Sequence, residues 1–160
     1  MTEIHPLQST WKLWFHKCDD NKWDFPSYQK LGQFNCVEDF AIISNALDKI
    51  HVENSMLFLM REDIKPMWEA EENITGGCLS FKIYKNNIHP CWNQLSAFLI
   101  GENILKEEGD FEKVNGISIS PKKTFSILKI WFQDKSINDT KYLNSMNLFK
   151  YEDAIYKAHS

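Results

Sequence analysis

A chain of 160 residues, 43% apolar and 25% charged, can bury a core without disulfide or metal staples, and one domain spanning 1–160 is expected. The formal charge of −4 excludes a protein that grips nucleic acid by wholesale phosphate neutralisation, since that mode needs a dominant basic surface, so any nucleotide contact is local. Cys18, Cys36, Cys78 and Cys91 form no C-x-x-C pair and have no companion His spacing, which argues against a zinc site or a dense disulfide framework; no metal and no cofactor are expected.

The opening "MTEIHPLQST" has neither a basic head nor an apolar run, and no later stretch approaches bilayer-spanning length. A cytoplasmic protein with reduced thiols and no membrane partner is the expectation. The aromatic content is high, 14% with six Trp, more than one small core readily absorbs.

In chain order, "TWKLWFHK" alternates as a strand, with Trp11, Leu13 and Phe15 on one face and Trp14 and His16 on the other. "NCVEDFAIISNALDKI" reads as one helix, capped by Asn35 with Glu38 three residues on, and striped by Val37, Phe40, Ile43, Leu47 and Ile50. "SMLFLMRE" and "GCLSFKIYK" read as strands. "HPCWNQLSAFLIGE" reads as a helix with Pro90 in its first turn and Gly101 at its C-terminal cap. "VNGISIS" and "TFSILKIWF" then form two strands joined through Pro121-Lys122-Lys123. A third helix is expected over "SINDTKYLNSM", with Ser136 as cap and Asp139 in its first turn, and a short strand near Leu148 to Tyr151. The excess of strands over helices, joined by short turns, predicts an α+β fold: an antiparallel sheet with helices on one face.

The segment "IKPMWEAEENITGG" sets Trp68 beside Glu69 in what reads as an exposed turn. A large indole next to a carboxylate suits a flat, cationic ligand rich in donors, although a core Trp at a strand end gives the same string. The flanking motifs bear on the choice. "HPLQSTWKLWF", "VEDFAII", "IKPMWEAEENITGG", "LIGE" and "LKIWF" occur in the order and approximate spacing of the eukaryotic translation initiation factor 4E family, which binds the 7-methylguanosine cap of messenger RNA. The resemblance runs from His5 to about Trp131 and is weak over the last thirty or so residues.

That resemblance implies a curved antiparallel sheet of about eight strands, with three helices packed on the convex face and the cap in the concave one. It matches Trp23 and Trp68 to the two Trp that sandwich the methylated base. Glu69 matches the carboxylate that accepts the guanine N1–H and amine, and Trp131 the Trp that touches the N7-methyl group. Trp11, Trp14 and Trp92 match structural positions. The residue types suit the chemistry. N7 methylation places positive charge on guanine, so each indole gains cation–π attraction of about 0.5–2 kcal/mol beyond stacking. A carboxylate facing two guanine donors makes charge-assisted hydrogen bonds that no other base reproduces.

Departures from the family pattern fall in two places. Where a phosphate-binding Arg is usual after the Gly pair stands Cys78, and another basic position is Ile127. Lys122 alone falls on a family phosphate-binding position, with Lys123 in the same turn and Lys129, two residues from Trp131, as further phosphate ligands. On the convex side the family receives a Y-x-x-x-x-L-Φ helix (Φ apolar) of its initiation scaffold. Here His5, Pro6, Leu7 and Val37 persist, whereas Ala41 replaces the anchoring Trp, and Asn93, Gln94 and Ala97 replace the common Leu, Glu and Leu. A capped mRNA partner is implied, with a scaffold protein engaging a modified surface, and no DNA. The implied output is translation initiation; a cap-binding repressor or decoy remains open. A decapping hydrolase drawing on Glu69, Glu71 and Glu72 is disfavoured by the absence of a G-x(5)-E-x(7)-R-E run, and no catalytic residue is assigned.

Overall fold

The structure, a computed structural model, describes residues 3–160. One seven-stranded antiparallel sheet dominates it: β1 (Pro6–His16), β2 (Gln29–Cys36), β3 (Met56–Arg61), β4 (Gly77–Tyr84), β5 (Val114–Pro121), β6 (Phe125–Phe132) and β7 (Ile155–Ala158), in spatial order β2-β1-β3-β5-β6-β4-β7. The helices are α1 (Val37–Ala46), α2 (Lys49–Asn54), the single turn α3 (Glu71–Ile74) and α4 (Ile88–Ile100). This is the expected α+β architecture, with seven strands in place of about eight.

Strand alternation sorts the side chains between two faces. Trp11, Leu13, Leu57, Leu59, Leu79, Phe81, Ile117, Ile119, Leu128 and Ile130 point to the helix-covered side and join Trp92, Leu95 and Leu99 of α4 in the main core. The opposite, concave face carries a second small cluster of Trp14, Phe58, Met60 and Trp131. Trp14 is therefore buried as expected, but on the other side of the sheet from Trp11 and Trp92.

Three local expectations are corrected. The helix from Asn35 to Ile50 is two helices, because Asp48 starts its own: its carboxylate accepts the His51 N–H at 3.1 Å. Asn35 lies inside β2, and α1 begins without a side-chain cap; Val37 donates instead to the His5 carbonyl at 2.9 Å. Glu38 in turn accepts from the His5 N–H at 2.7 Å. The third helix does not form over 136–146, where only a 3-10 turn, Thr140–Tyr142, appears. Its backbone is satisfied across the chain rather than internally, with Lys106 N–H on the Tyr142 carbonyl and Asn144 N–H on the Ile104 carbonyl. The last strand lies at Ile155–Ala158, not Leu148 to Tyr151.

Gly101 closes α4 with ordinary right-handed geometry, and the left-handed residue is its neighbour Glu102, at φ 58°. Its carboxylate receives a two-pronged ion pair from Arg61, Nη1 to Oε1 at 2.8 Å and Nη2 to Oε2 at 2.7 Å. The Arg61 guanidinium lies over Trp11 at 4.6 Å. The "LIGE" motif is thus a helix end fastened to the core.

Candidate functional site

A cavity of about 580 Å³ opens on the concave face. Its floor is Phe58 and Trp131; its walls include Trp23, Tyr28, Trp68, Glu69, Cys78, Lys129, Lys157 and His159. Trp131 is held in place: its indole N–H donates to Ser118 Oγ at 3.0 Å, and Phe58 and His159 meet its ring edge-on. Trp23 and Trp68 are instead 45% and 48% exposed, which a core role does not explain.

Trp23 stands on the loop after β1. One face of its indole lies flat on the His16 imidazole, centroids 3.9 Å apart and planes 5° from parallel. His16 is itself fully buried, its ring nitrogens 2.8 Å from the Lys17 carbonyl and 2.7 Å from the Lys22 carbonyl. This presents the other face of Trp23 for stacking.

The Trp68 loop hangs from Asn73. That fully buried side chain donates to the carbonyls of Lys65 and Met67, at 3.0 and 2.8 Å, while its Oδ1 accepts from Asn115 Nδ2 at 2.8 Å. The Asn73 carbonyl faces His159 Nδ1 at 2.8 Å, so one residue ties the loop to β5 and to the chain beyond β7. The Lys65 ammonium lies 5.0 Å from the Phe25 ring centre and joins the two Trp-bearing loops.

The glycine pair after the loop is required by crowding. A Cβ on Gly76 would overlap the Phe132 carbonyl, and one on Gly77 would lie 2.6 Å from the Lys157 carbonyl. Both β6 and β7 thereby press against the start of β4.

Charge is distributed unevenly around the rim. Tyr28 and Glu69 both line the cavity; burial, then the nearby Glu69 carboxylate, push the Tyr28 phenol up to about 12. On the other side, burial first and then the Lys129 and Lys157 cations hold His159 below its ordinary value, even though the Asn73 carbonyl opposes them.

Of the residues singled out from sequence, Trp23, Trp68, Glu69, Trp131 and Lys129 line this one cavity. Lys122 and Lys123 do not; they occupy the exposed β5–β6 turn, beyond the far end of β6 from Trp131. His5, Pro6, Leu7 and Val37 come together where β1 and β2 meet α1, and Ala41 lies one helical turn on, exposed. Gln94 of α4 is engaged with the 147–148 segment, donating to Asn147 at 2.7 Å and accepting from Leu148 N–H at 3.3 Å. Sequence reading missed His16, Tyr28, Lys157 and His159. The alternation of "TWKLWFHK" had already put His16 on the face opposite the core, and "IYKAH" carries the same period-two signal for Lys157 and His159.

An antiparallel sheet backed by helices, with a ligand-sized aromatic cavity on its open face and a carboxylate at the rim, is the arrangement of a binding protein. The model of the family described as eukaryotic initiation factor 4E matches residues 6–158, and the chain belongs to that family. The match continues past Trp131 and takes in β7. Translation initiation factor 4E of Eremothecium gossypii is 33% identical over 134 residues, 79% of this chain and 62% of that protein. Factor 4E-3 of Caenorhabditis elegans is 29% identical over 144 residues, 84% of this chain and 56% of that protein. The chain thus spans less than two thirds of the length of these relatives. Among solved structures, Ascaris suum eIF4E-3 with m7G cap superposes with TM-score 0.75 at 28% identity, over 87% of this chain and 79% of that one. The complex of C. elegans eIF4E-3 with the 4E-binding protein Mextli and cap analog gives TM-score 0.75 at 29% identity, over 87% and 80%.

Proposed function

We propose that this chain is a cytoplasmic, non-catalytic module that binds the 7-methylguanosine cap of messenger RNA in translation initiation. The observation that carries the reading is the pair of half-exposed indoles, Trp23 and Trp68, on one cavity with Glu69 at its rim and Trp131 on its floor. The methylated base enters between the two indoles, Glu69 accepts its N1–H and amine, and the Trp131 face meets the N7-methyl group. Lys129, on the wall of the same cavity, takes the emerging phosphates. Indoles and carboxylate then select together: the indoles read the ring's charge and Glu69 reads guanine. The protein should be retained on immobilised 7-methyl-GTP and released by free 7-methyl-GTP but not by GTP. Equal release by both would contradict the reading.

Two observations favour a modified output, repression or decoy binding, on the convex face. Ala41 offers no large apolar anchor beside the exposed Val37, and Gln94 is spent on the 147–148 segment. Loss of a Trp hot spot costs about 2 kcal/mol or more, so a Y-x-x-x-x-L-Φ peptide binds weakly and Ala41→Trp strengthens it at least tenfold. Calorimetry showing tight binding by the unmodified chain would sink the repressor reading. A catalytic role for Glu69, Glu71 and Glu72 has little support. Among the described residues no three His, Cys, Asp or Glu side chains are grouped to hold a metal ion.

A further inference from the structure

The concave face does not end at the cavity. Along β4 and β6, antiparallel pairing sets Cys78 opposite Trp131, Ser80 opposite Lys129, Lys82 opposite Ile127 and Tyr84 opposite Phe125. Alternation keeps these eight side chains on one face, and none is acidic. On the other flank of β4, Lys157 stands opposite Cys78. The turn lysines Lys122 and Lys123 precede Phe125 at the far end. In a chain of net charge −4 this is a local reversal of sign, running away from the cavity along the strands.

The strip ends in an aromatic platform. Tyr84 is 58% exposed, although its ring meets the partly buried Phe125 edge-on at 6.3 Å. The Lys82 ammonium lies 4.2 Å from the Phe125 ring centre and 5.9 Å from that of Tyr84. A hollow beside Lys82 and Tyr84 is bordered also by Lys150 and Asp153, which carry opposite charges. Nothing in the core calls for an exposed Tyr held by an aromatic edge and a cation; a base with a free face does. From Trp131 to Phe125 is six residues of extended chain, roughly 20 Å.

We propose that this track binds the single-stranded RNA that follows the cap: Lys157, Lys129, Lys82 and the Lys122–Lys123 turn meet its phosphates, and Tyr84 stacks on a base beyond the cap. The inference rests on the cap-binding reading and extends it from the terminal nucleotide to the body of the message. Lysines and stacking carry no base code, so the track is indifferent to sequence, as suits a protein that serves many messages.

The test compares 7-methyl-GTP with a capped oligoribonucleotide of about six nucleotides, within the range of single-strand site sizes. The unmodified protein binds the capped oligonucleotide about tenfold more tightly, the gain expected of one stacked base. The salt dependence steepens by roughly 0.7 for each further phosphate engaged. Tyr84→Ala and Lys82→Gln each erode the gain and leave 7-methyl-GTP affinity unchanged, while Tyr84→Phe keeps it. Equal affinity for the two ligands, or a gain that survives Tyr84→Ala combined with Lys82→Gln, overturns the track alone. Failure to distinguish 7-methyl-GTP from GTP removes the cap reading, and the track with it.

Discussion

His16 is the residue on which the Trp23 half of the cavity depends. An indole on a loop loses rotamer and backbone freedom when it stacks on a ligand, and the imidazole stacked beneath it removes much of that cost before the ligand arrives. An aromatic pair of this kind is worth about 0.5–1.5 kcal/mol. His16→Ala therefore weakens 7-methyl-GTP binding roughly threefold to tenfold, and His16→Phe restores most of it; a fluorescence titration reads both. An unchanged affinity in His16→Ala would show that Trp23 needs no support. Trp68 and Glu69 were legible in the sequence because a motif surrounds them. His16 was not, because a lone histidine on a strand has no signature, and only its pairing with a loop seven residues away gives it a role.

At the scale of elements, the strands through β6 were the readable part and the chain beyond β6 was not. Alternation in "GCLSFKIYK" and "TFSILKIWF" is regular, and β4 and β6 pair residue for residue along their length. The stretch from Ser136 to Met146 instead buries Ile137, Leu143 and Met146 in an irregular path, so its apolar spacing imitated a helix without forming one. β7 is four residues long, and its place is fixed by pairing with Gly77 to Ser80 of β4, distant in sequence, which no local pattern announces. The Trp68 loop illustrates the same dependence on distant groups. Asn73→Leu leaves the Lys65 and Met67 carbonyls and the Asn115 amide without their partner, at a cost of about 1–3 kcal/mol for each buried group that water cannot reach. Urea unfolding should show that loss. The cap affinity should fall further than in Leu95→Ala, a core truncation in α4 far from the loop; equal losses of affinity would mean that Asn73 acts on stability alone.

At the scale of the whole molecule, cavity and fold share one titrating group. His159 has a folded pKa below its ordinary 6.5, from burial first and from Lys129 and Lys157 after it. The unfolded chain therefore binds a proton near pH 6.5 that the folded chain refuses until lower pH, and the resulting stability, full above pH 6.5, is lost as pH falls through the folded value. Thermal unfolding should show a decline on acidification that begins just below pH 6.5 and is reduced in His159→Asn. Glu38 and Asp134, lowered below their ordinary values, act only in the more acidic range. The same β7 segment that brings His159 to the cavity also brings Lys157, so the last strand of the sheet bears on both ligand and stability. The most direct measurement is a tryptophan-fluorescence titration with 7-methyl-GTP and GTP, repeated in Trp68→Ala. A cap pocket built on two exposed indoles gives quenching by 7-methyl-GTP at concentrations far below those needed for GTP, and loses it in the variant. Equal, weak responses to both nucleotides, unchanged by Trp68→Ala, would contradict cap binding at this cavity.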